Sequence, residues 1–261
     1  METALSTDLV NSALNDVGKS QTTFAKDVPK MVKYTLADSA NSERIDMDYQ
    51  IQSVTTDDKL RVLNFLKKFF FRDEPLNQSI GLLADREDFT CRDLENYSLT
   101  SLEDDLNLMA VLPNGTLIGV VLNGKMVPPK EEEPQFISRC QNPKFKKILQ
   151  LLDYVDRKVN CDENFRGLDV LEIKIISVDS KWRGKGVAKA LIEKTLEIAK
   201  ERNFHMARAD CSSCFSGKLC TGMGFERIYE LNYADYVDND GNPIFSPALP
   251  HTKIVSYVKR L

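Results

Sequence analysis

Histidine is scarce in this sequence, with only His205 and His251 among 261 residues. A tetrahedral zinc site needs four N or S ligands, so the lone Cys211-Ser212-Ser213-Cys214 pair finds neither a second pair nor two histidines to complete it. No metal is therefore expected. Six cysteines in 261 residues also fall short of a secreted disulfide framework. A redox role for Cys211 and Cys214 is only slightly better supported than metal binding. No apolar run approaches the roughly 20 residues that span a bilayer, and the first residues lack the apolar core of a signal peptide. Basic excess is missing too: 35 Lys and Arg face 39 Asp and Glu, for a net charge of −4. Such a balance gives no field for nucleic acid or an anionic membrane and tolerates a cationic substrate. A cytoplasmic protein is expected, with no membrane or nucleic-acid partner. Nothing in the sequence fixes the oligomeric state, and a monomer is the default.

What is present is concentrated in one stretch. Val170 to Val178 is an apolar run. Asp179-Ser180-Lys181-Trp182 closes it, Arg183-Gly184-Lys185-Gly186 follows, and Val187 to Arg202 then repeats apolar residues at helical spacing. A strand feeding a glycine turn and a helix is an anion cradle, because glycine lets backbone N–H groups approach a ligand and the first turn of a helix has N–H groups to spare. Arg183 and Lys185 add positive charge at that turn. The pattern is neither of the common nucleotide loops. No segment reads G-x-x-x-x-G-K-[ST], and Lys189 stands where a dinucleotide fingerprint needs its third glycine.

The rest of the chain reads as mixed α/β. Residues 1–48 are polar with little sustained periodicity and are expected to form a flexible leader, the folded unit running over 49–261. Tyr49 to Val54 has strand character. Thr55 to Asp58 can cap a helix that carries Leu60 to Phe70, and Pro75 marks where that helix must stop. A second helical pattern lies within Ser79 to Ser101. Apolar runs around Pro113-Asn114-Gly115 predict a hairpin. Asn142 to Val159 is a helix, Phe204 to Ala209 a strand, Ser212 to Met223 a short helix ending at Gly224, and Glu226 to Leu231 and Lys253 to Lys259 the last strands. Antiparallel strands therefore come first and a strand-helix-strand crossover after.

The order Val-Asp-x-x-Trp-Arg-Gly-Lys-Gly-Val-Ala resembles the R-x-x-G-x-A signature of the GCN5-related N-acetyltransferases (GNAT), whose cradle holds the pyrophosphate of acetyl-CoA. Phe69-Phe70-Phe71-Arg72-Asp73-Glu74-Pro75-Leu76 upstream and Ser212-x-x-x-Ser216 downstream narrow the resemblance to the insect arylalkylamine N-acetyltransferases, the dopamine N-acetyltransferase type. The resemblance spans roughly Tyr49 to Leu261. It implies the GNAT fold, a mostly antiparallel central sheet flanked by helices with two strands splayed at the acetyl-CoA site. It also implies acetyl-CoA as co-substrate, an arylalkylamine acceptor, Glu74 as general base, and Ser212 and Ser216 as a proton relay. Ile176, Ser177 and Val178 would pair with pantetheine, while Arg183, Gly184, Lys185, Gly186, Val187, Ala188 and Lys189 would hold the pyrophosphate and Ser216 would face the sulfur.

The residues themselves support that chemistry and leave alternatives open. An alkylamine is almost fully protonated at neutral pH, so a base must act before nitrogen attacks a thioester. Glu74 beside three phenylalanines and Pro75 is placed for a raised pKa, although it could equally solvate a helix end. Ser212 and Ser216 are four apart, which on one helix puts both on one face; Ser212 or Ser213 could instead be an N-cap. His205 reads as structural. Asp73, Glu103, Asp104 and Asp105 keep a polyamine, agmatine or protein-amine acceptor in view, and a non-catalytic CoA-binding module is the remaining alternative.

Overall fold

The structure, a computed structural model, describes residues 30–37, 44–83, 90–103, 105–127, 132–160, 165 and 167–261. One eight-stranded sheet runs through it in the order β1-β2-β3-β4-β5-β6-β8-β7. The first strands are β1 (Lys30–Ala37), β2 (Arg44–Ser53), β3 (Leu108–Val111) and β4 (Leu117–Lys125). They are followed by β5 (Val170–Val178), β6 (Met206–Cys211), β7 (Glu226–Asn232) and β8 (Lys253–Arg260). Every neighbouring pair is antiparallel except β5 and β6. The GNAT fold expected from the resemblance is the fold found.

The sheet starts upstream of Tyr49, because β2 begins at Arg44 and β1 precedes it. The sequence from Ile45 to Ile51 alternates apolar and polar residues, which is the strand period, and that signal runs back past the expected boundary. The remainder of the leader, 1–29 and 38–43, lies outside the described residues, as do 84–89 of the second helical pattern.

Helices cover both faces. On one side pack α1 (Lys59–Phe69), α2 (Pro75–Ser79), α3 (Arg92–Ser101), the short α4 (Gln135–Ser138) and α5 (Pro143–Asn160). Val62, Leu66, Leu149 and Val155 meet Val120, Leu122, Val170 and Ile175 there. On the other side α6 (Val187–Glu201) and α7 (Cys214–Gly222) bury Leu191, Ile198 and Cys220 against Ile118, Val121, Leu171 and Ala207. Alternating inward side chains on β4 and β5 supply both cores, which is why these central strands are apolar almost throughout. Pro75 does more than end a helix. It is the first residue of α2, where its missing N–H costs nothing.

Two local irregularities shape the site. Leu122 pairs with Ile175 but Asn123 with Ile173, so Lys174 is an extra residue on β5 and bends that strand. The parallel pairing of β5 with β6 then stops at Ile173 opposite Ala209, and the rest of β5 diverges. Glycine at 119 lets α6 sit close under this opening. A Cβ there would lie 2.8 Å from Val187 Cγ1 and 3.2 Å from Leu191 Cδ1. Gly119→Val is expected to push α6 off the sheet and cost about 1–3 kcal/mol, seen as a lower urea midpoint with unchanged m. An unchanged midpoint would show that α6 has slack at this contact.

Candidate active site

Where β5 and β6 part, a cleft of about 830 Å³ opens between the two layers of helices. Its walls come from the α1–α2 turn, the end of β5, the glycine turn before α6, and the β6–α7 turn.

The glycine turn is built for an anion. Asp179 accepts the Lys181 N–H at 2.9 Å and closes a 3₁₀ turn at the end of β5. Gly184 and Gly186 have φ of 74° and 80°, a region that side chains strain to adopt, and Gly186 is the N-cap of α6. Ala190 N–H is the first to bond back, to Gly186 O at 3.0 Å, which leaves the N–H groups of the first turn for a guest. The expected contacts Ile176 to Val178 and Arg183 to Lys189 all line the cleft except Lys185, whose Nζ sits 5.0 Å over the Trp182 ring. Arg183 also differs from expectation. Its guanidinium donates to Asp73, to Phe69 O at 3.3 Å and to Val178 O at 3.1 Å, so it braces the α1–α2 turn against the end of β5. Backbone N–H groups, more than these two cations, make the cradle fit a pyrophosphate, and the diverging end of β5 offers the strand edge that a pantetheine amide can pair with.

Glu74 faces the cradle across the cleft. It is buried, and both carboxylate oxygens are engaged: Oε2 accepts the Asn77 N–H at 2.6 Å, capping α2, and Oε1 accepts the Ser212 hydroxyl at 2.8 Å. One oxygen thus serves the helix end, as a solvating or capping acid would, and the other meets the Ser212 hydroxyl in the cleft. Burial pushes its carboxyl above the ordinary range, while the Asn77 and Ser212 hydrogen bonds pull in the other direction.

The serines divide their tasks differently from the helix-face expectation. Ser213, not Ser212, is the N-cap of α7, accepting the Phe215 N–H at 3.1 Å, so Ser212 lies outside the helix and the four-residue spacing does not put the pair on one helical face. Ser212 is held by Glu74 and, through its carbonyl, by the Tyr233 hydroxyl at 2.7 Å. Ser216 Oγ donates to Ser213 O at 2.9 Å and also lines the cleft. Sequence reasoning missed two neighbours. Tyr233 fixes the Ser212 turn, and its hydroxyl is pushed up by burial and by the nearby Glu74 charge. His251 accepts the Cys214 N–H on Nδ1 at 3.2 Å at the start of α7, and burial lowers its pKa. They flank the Pro-, Gly- and Asn-rich loop from Tyr236 to Pro250, whose sequence carries no periodic signal. His205 is remote from the cleft; its Nδ1 accepts the Asp169 N–H at 3.0 Å, tying β6 to the start of β5.

The acids that kept a polyamine in view mostly lie elsewhere. Asp73 is paired with Arg183, Asp105 with Arg202 at the far end of α6, Glu103 is exposed outside the cleft, and Asp104 is outside the described residues. Among the described residues no group of His, Cys, Asp and Glu is arranged to hold a metal, and no helix is long and apolar enough to cross a membrane.

Known proteins share this fold. Residues 82–215 match the acetyltransferase (GNAT) family profile. Arylalkylamine N-acetyltransferase 2 from Aedes aegypti is 35% identical, with a TM-score of 0.75 over 81% of this chain and 98% of that one. Mosquito arylalkylamine N-acetyltransferase like 5b, 23% identical with a TM-score of 0.71, covers 82% of this chain and 100% of its own. The Drosophila melanogaster polyamine N-acetyltransferase that forms N-acetylagmatine has the same fold at 21% identity and a TM-score of 0.70, again over 82% and 100%. The chain belongs to the acetyltransferase (GNAT) family, whose enzymes take their acetyl group from acetyl-CoA.

Proposed function

We propose that the protein transfers the acetyl group of acetyl-CoA directly to the primary amine of an arylalkylamine, of the dopamine, tyramine, octopamine, serotonin or tryptamine kind, with Glu74 as general base. The observation that carries this reading is the 2.8 Å hydrogen bond from Ser212 to a buried carboxylate whose pKa is raised, set in the gap between β5 and β6. An ammonium entering the gap gives up a proton to Glu74 through Ser212, and the freed amine attacks the thioester. Backbone of the α6 turn and of Ile176 to Val178 holds the co-substrate in line. Ser216 is the hydroxyl that assists departure of the thiolate. The aromatic acceptor is favoured by the wall itself, in which Phe69, Phe70, Pro75, Ile175 and Leu219 supply apolar surface.

A steady-state panel with acetyl-CoA tests the reading. The aromatic amines dopamine, serotonin and tyramine are expected to exceed agmatine and spermidine by about tenfold or more in kcat/KM, the scale on which pocket contacts discriminate. A lead for agmatine or spermidine would move the acceptor to the polyamine class and leave the transfer chemistry standing. Absence of transfer to any amine would return the chain to the CoA-binding-module alternative.

A further inference from the structure

The C-x-x-C motif does not bring its own two sulfurs together in the fold. Cys211 closes β6 and Cys220 lies on α7, nine positions on, and these are the sulfurs that meet, 3.7 Å apart. Cys214 stands on the first turn of α7, with its N–H on His251. Both paired cysteines are buried, at 4% and 2% exposure, yet both contribute to the wall of the acetyl-CoA cleft. A small solute entering the cleft therefore reaches them. Acetyl transfer through Glu74, Ser212 and Ser216 has no use for either thiol.

We propose that Cys211 and Cys220 are an oxidisable dithiol: hydrogen peroxide entering the cleft converts them to a disulfide, and bound acetyl-CoA shields them from it. The step balances. The thiolate of Cys220 attacks one peroxide oxygen, the O–O bond breaks, hydroxide leaves and takes up a proton as water, and the sulfur becomes a sulfenic acid. The Cys211 sulfur then attacks that sulfur, its proton leaves with the hydroxyl as a second water, and the S–S bond forms. Peroxide is reduced to two waters and the two sulfurs are oxidised. Either sulfur can donate in the contact between them; with Cys211 donating, the thiolate rests on Cys220, and the opposite order gives the same disulfide.

The bond has leverage on catalysis because of what lies between its ends. A disulfide is shorter than the present separation, so its formation draws α7 against β6. Ser212 and Ser216 both lie in the segment so closed, and Ser212 is the hydrogen-bond partner of Glu74. A misplacement of about 1 Å in such a constellation costs up to ~100-fold in rate. The effect on turnover rests on the function proposed above, whereas formation of the bond does not.

The test treats the full-length protein with millimolar hydrogen peroxide, blocks remaining thiols by alkylation, and maps the peptides by mass. A Cys211–Cys220 cross-link is expected, with a loss of about tenfold or more in acetyl transfer that dithiothreitol restores and prior acetyl-CoA prevents. Each variant is compared with its own untreated rate: Cys220→Ala should resist peroxide and Cys214→Ala should remain sensitive. A Cys211–Cys214 cross-link, or peroxide-treated protein with no cross-link, overturns the proposal. A Cys211–Cys220 cross-link with unchanged turnover overturns its effect on catalysis. If untreated protein acetylates no amine in the panel, the peptide map still decides whether the dithiol exists.

Discussion

Glu74→Gln is expected to lower kcat/KM for the amine by about 10²–10⁴-fold and to abolish the acidic limb of its pH profile. In the wild-type protein the base works only when ionised, so the rate falls as pH drops through the raised pKa of Glu74. Glutamine keeps the size and one acceptor oxygen for the Asn77 N–H but cannot take a proton. Ser212→Ala should give a different signature. The Ser212 hydrogen bond favours the ionised carboxylate, and its loss raises the Glu74 pKa further, so the acidic limb moves to higher pH and the rate partly recovers in alkaline buffer. Ser213→Ala removes the cap of α7 at a cost of about 1 kcal/mol and should leave the limb where it is. If Glu74→Gln retained a wild-type acidic limb, another group would be the base.

The same shift carries a stability consequence with a definite sign. A carboxyl whose folded pKa exceeds its unfolded value binds its proton more tightly in the folded state, so Glu74 costs stability above its folded pKa and ceases to do so below about 4.5, the unfolded value. The site keeps an acid where burial opposes its charge, and function accounts for that better than packing does.

Arg208→Met should unfold more readily than any surface substitution, by about 3–5 kcal/mol, a drop in Tm on the order of ten degrees. The side chain is 1% exposed and its guanidinium holds Asp156 at 2.7 Å and Asp210 with two nitrogens, at 2.7 and 3.3 Å. Glu172 stands opposite Arg208 on β5, and burial together with the charge of Asp210 pushes its carboxyl up to about 7. Removing the cation leaves these acids facing one another. Glu172 already binds its proton more tightly folded than unfolded, and without Arg208 it does so more strongly; the deficit of the variant should therefore be larger at pH 8 than at pH 5. Thermal scans at the two pH values measure this, and a deficit that grows on acidification would mean that the network is not held by charge.

Much of this architecture was legible in the residues because local and long-range signals agree. The apolar run to Val178, the glycines at 184 and 186 and the period of α6 state one strand-turn-helix unit, and the hairpin at Asn114-Gly115 and the helix from Pro143 read equally well. Glu74 and the two serines were found through the resemblance, since acid, proline and phenylalanine in a row do not by themselves distinguish a base from a cap. What could not be read arises between segments distant in sequence. Arg183 to Asp73, Tyr233 to Ser212 and Cys211 to Cys220 are each decided by how the sheet is ordered, and a C-x-x-C invites the wrong partner for Cys211. The start of β2 reads as linker for a simpler reason: the first polar positions of the alternation from Ile45 are Asp46 and Asp48, and they follow directly on the polar run from Ser39 to Arg44.

The parting of β5 from β6 at Ile173 has a bearing on solubility as well as on chemistry. Strand edges with unused N–H and C=O groups ordinarily lie at the rim of a sheet, where another chain can zip onto them and seed aggregation. Here such an edge lies in the sheet's interior, flanked by β4 on one side and β6 on the other, and opens into the cleft instead of at the rim. The molecule can therefore display a hungry backbone to its co-substrate without offering it to its own copies.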